Sequence, residues 1–426
     1  MRRLINYIAL LAILLAVCSC RPEADLYAPL IIFTEPKAGL VINLPDTIDV
    51  VVHITDHTLI RTVVLTLVNK DKIPVIPATT YYPDSMEYYI STSLPLVDKY
   101  LASGPYDLLV TVSDGADQKN QYQPIIIKEI PVQLQAYIVV TSQFDFKSTI
   151  IKLNPSFEPD TQFVYPHGYW LSAVHSMWEE FFFVSKEPSD LIAFNTETFE
   201  TEWEMSAAPP RPLITALIPD EELVFSTANG DAGVLAGNGN ITLRTQAFDD
   251  KTIQCLAADE KYIFAAHGSL SGNIHELTVF SRMTGDIWEQ RLISGVIRSL
   301  VPIVNKLLVF RQVAGNAEIL DYDPVNFVLT ELSSLPDENI KSAVKISDSQ
   351  ILILTDKRVI SYISESNHFA NFKEEPYKFC RYDSLKDEVF LVRDTTLFGF
   401  NRNSGDLIEE KTFTEEIMDF QILYNK

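Results

Sequence analysis

The sequence is short of cysteine, tryptophan and positive charge. Four cysteines, at 18, 20, 255 and 380, are too few to staple a chain of 426 residues into a disulfide scaffold. Seven histidines (53, 57, 167, 175, 267, 275 and 368) are scattered and offer no zinc-site spacing with the cysteines. Lys and Arg number 34 against 57 Asp and Glu, a formal charge of −23 and a pI near 4.7. Such a field repels phosphate backbones and argues against a nucleic-acid partner. Nucleophile elbows and phosphate loops are missing. The one glycine-rich run, DAGVLAGNGN (231–240), lies within β-type sequence and has no helix to present to a phosphate. Low-complexity tracts are missing too. The composition, 47% hydrophobic and 21% charged, is that of a globular protein, and length alone suggests two or three domains.

The N-terminus reads as a targeting segment. Met1-Arg2-Arg3 is basic, and Leu4 to Val17 is mostly apolar but too short for a membrane span of about 20 residues. Val17-Cys18-Ser19-Cys20 follows. This stretch resembles the bacterial lipoprotein cleavage box, with Cys20 as the lipidated residue; Cys18 fits less well, because Val17 would precede the cut. The resemblance implies a signal peptide over 1–19, a tether over 20–25 and a lipid anchor in the membrane. Loss of Arg2 and Arg3 would bring the charge to −25. Arg21 stands where inner-membrane retention signals carry Asp, so the expected location is the outer membrane, facing the periplasm or the outside.

Residues 26–132 alternate as β-strands do. TIDVVVHITD (47–56), RTVVLTLVN (61–69), MEYYISTSL (86–94) and YDLLVTVSD (106–114) are separated by turn clusters. SGPYDLLVTVSDGADQKNQYQPIII resembles the last hairpin of bacterial immunoglobulin-like domains, which implies a β-sandwich of about seven strands. A Cys-Trp-Cys core is missing. His53 and His57 do not share one strand face, since Asp56 and His57 are read as starting a turn; Asp114 and Asp117 are read as hairpin residues, so no metal is expected.

From residue 134 to 426 the chain repeats. A turn with acidic or amide residues and an apolar strand recurs as WEEFFFV, DEELVFS, DEKYIFA, VNKLLVF, DSQILIL and KDEVFLV. A second strand follows, anchored at Leu153, Phe194, Leu235, Phe280, Tyr322, Tyr362 and Phe400, spaced 41, 41, 45, 42, 40 and 38 apart. Seven anchors near a 40-residue period signal a repeat architecture. Opening strands (WLSAVHS, LITALIP, TIQCLAA, IRSLVPI, IKSAVKI, YKFCRYD) number six, and the first unit lacks one. The C-terminal IMDFQILYNK matches IRSLVPIVNK of 297–306 and supplies the missing strand. The expected architecture is all-β: a sandwich followed by a seven-bladed β-propeller closed by the C-terminal strand.

The blade endings VFSRMTGDIWEQRL, AFNTETFETEWEM and GFNRNSGDLIEEKTF resemble pyrroloquinoline-quinone-type repeats. Tryptophan occurs only at 170, 178, 203 and 288, so a full ring of docking tryptophans is missing, as are an adjacent disulfide and a Glu/Asn/Asp calcium cluster. The resemblance is therefore to non-catalytic members such as the outer-membrane assembly lipoprotein propellers, and it implies no cofactor. Cys255 and Cys380 fall at equivalent strand positions and read as buried small hydrophobes.

Two groups of residues are candidate sites. Arg298, Lys341 and Lys378 each precede an aligned opening-strand position by two residues, and Arg211 and Lys251 lie slightly earlier in their units. They are candidates for an anion-binding funnel at one mouth of the channel, set against simple pairing with neighbours such as Glu338 or Glu375. YPHGYW (165–170) offers Tyr165, Tyr169 and Trp170, with Trp178, for stacking on sugar rings, set against core packing. His267 and His275 are read as part of an insertion, AAHGSLSGNIHE. The leading functional reading is a non-enzymatic, lipid-anchored envelope scaffold or receptor-like module with a protein partner. The alternative is a carbohydrate-binding or carbohydrate-active propeller. A quinone-dependent dehydrogenase is set aside for the missing residues. Asp-Ser/Thr-apolar triplets (46–48, 84–86, 383–385, 394–396) resemble O-glycosylation sites of Bacteroidota envelope proteins.

Overall fold

The computed structural model describes residues 28–426 apart from 116, 144–145, 188, 207–213, 220–221, 249–250 and 269–273. Cys20, the signal peptide and the tether therefore lie outside the described residues, as does Arg211. Every regular element among the described residues is a β-strand. The chain divides into two compact units, Met1–Pro131 and Val132–Lys426.

The first unit is a two-sheet β-sandwich. Leu30–Glu35, Asp46–Ile60 and Ser85–Leu96 form one sheet in that order; Leu40–Asn43, Gln118–Lys128, Gly104–Ser113, Thr62–Val68 and Thr79–Tyr81 form the other. Strict alternation puts Ile48, Val50, Val52 and Ile54 inward against Leu65, Leu67, Leu108, Val110, Val112 and Ile125 in one core. His53 points outward: its Nε2 lies 2.8 Å from Glu87 Oε1 and its ring stacks on Tyr89 at 4.2 Å. The strand carrying it runs on to Ile60, so Asp56 and His57 do not begin a turn; a register shift after Thr55 absorbs them instead. Asp114 Oδ1 accepts the Asp117 N–H at 2.6 Å, a turn contact.

The second unit consists of seven four-stranded antiparallel sheets, here blades 1 to 7. The inner strands of blades 2 to 7 are Tyr169–His175, Ile214–Pro219, Thr252–Ala258, Val296–Ile303, Ile340–Lys345 and Phe379–Asp383. Glu416–Tyr424 is the inner strand of blade 1 and pairs antiparallel with Leu134–Gln143, with Ile417 opposite Thr141 and Phe420 opposite Val139. Each inner strand lies against the inner strands of both neighbouring blades, and blade 1 meets blades 7 and 2, so the ring is closed: a β-propeller. Closure by the last strand covers an edge that would otherwise stay open.

Each blade has one tight turn between its third and outer strands, and each turn needs a left-handed residue. Phe157, Phe199, Gly239, Gly285, Phe327, Asn367 and Gly405 occupy that position in blades 1 to 7, with φ between 50° and 76°. These turns are where neighbouring blades dock. From the outer strand of the preceding blade, Trp203 Nε1 donates to Gly237 O at 2.9 Å and Trp288 Nε1 to Pro324 O at 3.1 Å. Where tryptophan is missing, lysine takes the role: Lys373 Nζ donates to Gly405 O at 2.5 Å, and Lys411 Nζ donates to Phe157 O. Lys373 also lies 3.7 Å over the Phe400 ring, a cation–π contact in place of indole packing.

The closing seam is polar as well as apolar. Asp419 on the inner strand of blade 1 accepts from Arg381 of blade 7 at 2.8 Å, and from Tyr169 and Ser172 of blade 2 at 2.9 and 2.8 Å. Gln421 donates to the same carboxylate and to Ser172 O. One buried carboxylate thus joins three blades. At the other end of the same strand, the buried Asp383 of blade 7 accepts from Tyr424 at 3.1 Å.

Candidate functional site

A β-bulge near the start of the inner strand shapes one mouth of the channel. In blades 2 to 6 the extra residue is Trp170, Thr215, Gln254, Arg298 and Lys341. In blade 1 it is Met418. In blade 7 the Lys378 N–H donates to Val392 O while Phe379 sits opposite the same Val392, again two residues against one. Equivalent positions on seven equivalent strands make a ring around the axis. A bulge re-aims its side chain, and the sequence-predicted cations Arg298, Lys341 and Lys378 fill three consecutive places in this ring, beside Trp170 and Met418.

Three of these side chains latch the next blade. Trp170 Nε1 donates to Ile214 O at 3.1 Å, Lys341 Nζ to Tyr377 O at 3.2 Å and Lys378 Nζ to Ile417 O at 3.0 Å. Each acceptor is the residue just before the next bulge. Arg298 occupies the same position but makes no such bond. It is exposed, and among the described residues no hydrogen bond or ion pair holds its guanidinium.

Charges around the mouth are sorted into pairs. Lys378 pairs with Glu416 at 2.6 Å and Lys251 with Glu276 at 3.1 Å. Glu338 and Glu375 do not neutralise the ring: Glu338 pairs with Arg358 at 2.8 Å and Glu375 with Arg393. The five proposed cations therefore differ. Arg211 is outside the described residues, Lys251 and Lys378 are ion-paired, Lys341 has one carbonyl contact and Arg298 none.

The aromatic stretch 165–170, which runs from the outer strand of blade 1 into the inner strand of blade 2, faces protein for most of its length. Tyr165 packs edge-on against Phe183 at 5.0 Å and Phe194 at 5.9 Å, and burial pushes its phenol up to about 12. Tyr169 is half-buried, with its hydroxyl on Asp419; enclosure first, then the Asp419 charge, raises its pKa well above the usual value. Trp178 stacks on His175 at 3.9 Å. Trp170 alone presents its ring to solvent, at 44% exposure, while its N–H is engaged.

His267 and His275 are corrected from loop to core. They lie buried on Tyr262–Gly268 and Ile274–Ser281, at the two ends of the undescribed 269–273. His267 Nε2 lies 2.9 Å from Gly230 O, and His275 Nδ1 accepts the Ile297 N–H at 3.2 Å across to blade 5. Burial lowers the pKa of both. Cys255 and Cys380 are free thiols, each pushed up to about 12 by burial; they lie one and two residues after the bulges of blades 4 and 7, so their positions are not equivalent. Among the described residues no group of three His, Cys, Asp or Glu side chains is placed to hold a metal ion, and no helix is long and apolar enough to cross a membrane.

At the opposite end of the ring lies a groove that sequence reasoning missed. A cavity of about 520 Å³ crosses blades 4, 5 and 6, lined by Tyr262, Pro302, Val304, Pro324, Val325 and the Lys345–Asp348 pair among others. Val304 is 63% and Val325 61% exposed, each at the tip of a hairpin. Val304 opens VNKLLVF, one of the repeat's turn-and-strand segments. The available signal was Val304 itself, a valine where DEELVFS, DEKYIFA, DSQILIL and KDEVFLV carry Asp or Lys.

No family model matches the chain, and no curated protein matches it. Among solved structures, a functionally unknown protein from Desulfotomaculum acetoxidans DSM 771 is similar with a TM-score of 0.50 and 13% identity, over 68% of this chain and 99% of its own. BamB from Moraxella catarrhalis matches with a TM-score of 0.44 and 11% identity, over 67% of this chain and 92% of its own. The β-propeller domain of Cps50 (Swd1) from Myceliophteria thermophila matches with a TM-score of 0.46 and 8% identity, over 65% and 94%. At these identities the likeness is one of fold and extends to no activity, ligand or partner.

Proposed function

We propose that the protein is a non-enzymatic interaction module of a bacterial cell envelope, anchored through lipid on Cys20 and acting as a scaffold for a protein partner. In this reading the sandwich is an immunoglobulin-like domain and the propeller a quinoprotein-like repeat without cofactor. The observation that carries it is the groove over blades 4 to 6. Two valines more than half exposed, set beside two prolines and a tyrosine and ringed by Asp259, Glu260, Lys261, Lys345 and Asp348, form a recess of mixed apolar and charged walls, the make-up of a protein-binding surface with an apolar centre and a polar rim. The test is purification of the lipidated protein from its native envelope in mild detergent, with mass spectrometry of what accompanies it. A stoichiometric protein partner that is lost from the double variant Val304→Asp, Val325→Asp supports the reading. Equal recovery of every companion with the variant overturns it.

The carbohydrate alternative has one observation in its favour. Trp170 exposes its ring at the channel mouth, in the same circle as three cations. A glycan array in which Trp170→Ala erases a specific signal would move the assignment to a glycan receptor.

A further inference from the structure

We infer that the channel mouth at blades 5 and 6 is an oxyanion seat, in which Arg298 and Lys341 together hold a carboxylate or a phosphate group. It is a separate site from the groove: Arg298 stands near the start of Val296–Ile303, and the groove begins where that strand ends.

Three observations converge on it. The first is position. Arg298 and Lys341 are the bulged residues of adjacent inner strands, so both side chains are turned out at the same level of the ring. The second is commitment. Lys341 spends one of its three ammonium hydrogens on Tyr377 O, and Arg298 spends none of its five on the described protein. A guanidinium left without a carboxylate in a chain of formal charge −23 is unusual, because acidic groups outnumber basic ones 57 to 34. The third is that nearby acids are already taken. Glu276, Glu338, Glu375 and Glu416 are held by Lys251, Arg358, Arg393 and Lys378. Those pairs leave Arg298 and Lys341 without a carboxylate partner at adjacent positions of the ring. Lys378, neutralised by Glu416, stays outside the seat.

The chemistry of the pair selects the ligand class. A planar fork with parallel donors suits a two-oxygen edge, found on carboxylate and phosphate alike, and an ammonium beside it adds a point charge. Neither group carries an acceptor, so a neutral hydroxyl ligand would satisfy them poorly.

The test is calorimetric titration of the soluble chain with inorganic phosphate and, separately, with citrate, at low ionic strength. At least one of the two should bind, and its affinity should fall with added salt. Arg298→Ala and Lys341→Ala should each weaken it about tenfold, the loss of one charge-assisted contact. Arg298→Glu should abolish it, and Arg298→Lys should retain part of it. The charge-neutral double variant Lys378→Ala, Glu416→Ala should bind as the parent does. Preference for phosphate assigns a phosphoryl ligand, and preference for citrate a carboxylated one. All variants are at exposed side chains, and unchanged melting temperatures confirm folding. Absence of binding by both anions, or full affinity in the Arg298 and Lys341 variants, overturns the inference.

Discussion

Glu180 shows how much one backbone angle decides. WEEFFFV reads as a polar turn followed by an apolar strand, and sequence cannot separate Glu179 from Glu180. Glu179 adopts a left-handed φ of 57°, which turns the next side chain inward. Glu180 is buried; its Oε1 accepts from Trp203 Nε1 at 3.2 Å, and its Oε2 has no hydrogen-bond partner among the described residues. Burial raises its pKa to about 7; the Trp203 bond opposes the rise and the Glu202 charge adds to it. The folded state therefore takes up a proton at higher pH than the unfolded chain, whose carboxyl titrates near 4.5. The stability this contributes is complete below 4.5 and is lost as pH rises through about 7. Glu180→Gln should remove that loss. Its advantage over the parent in chemical denaturation should grow between about pH 5 and about pH 8, to about 2 kcal/mol. A difference independent of pH would show that the carboxyl is already ionised throughout.

Among the elements, the turns and outer strands carry the peripheral blade-to-blade contacts, while the inner strands carry those around the axis. The seven anchors made the repeat legible, and TG, SG and the Gly/Asn hairpin of 231–240 marked three of the seven left-handed turns. Phe157, Phe199 and Phe327 were hidden because a phenylalanine at positive φ has no sequence signature; the surrounding turn imposes it, at a cost of about 1 kcal/mol each. The docking lysines were hidden for another reason. Indole and ammonium share only an N–H donor on a long stem, and repeat patterns are written in tryptophan. Gly239 is where turn and dock meet. Its φ is 76°, and a Cβ there would lie 2.7 Å from the Trp203 ring. Gly239→Ala should destabilise the propeller by about 2 kcal/mol and shift the tryptophan emission. A silent emission spectrum with unchanged melting would mean that Trp203 does not depend on this turn.

For the molecule as a whole, the closing strand was the most legible feature, since IMDFQILYNK repeats IRSLVPIVNK and the first unit lacked a partner for it. Its polar ties were not legible. Lys378–Glu416 and Arg381–Asp419 exist only because the ring brings blades 7 and 1 together. Deleting 416–426 leaves the edge of Leu134–Gln143 unpaired and Arg381 without its carboxylate. The truncated chain should self-associate in size-exclusion chromatography, and a synthetic peptide of the missing strand should return it to the parent elution volume. A truncated chain that stays monomeric and melts like the parent would show that closure is dispensable.

Closure also sets a clock. Thr141 meets Glu415 across 274 residues of chain, and drawing such distant points together costs about 5 kcal/mol in loop entropy. Burial of Ile417, Phe420 and Leu423 returns about 2 kcal/mol apiece, little more than that cost. Contacts so remote in sequence form late, and contacts absent from the folding transition state govern how slowly a protein comes apart. The clasp therefore contributes little to how fast the ring assembles and much to how long it lasts. A propeller with one non-covalent fastening opens first at that fastening, and the lifetime of all seven blades is written in its final strand.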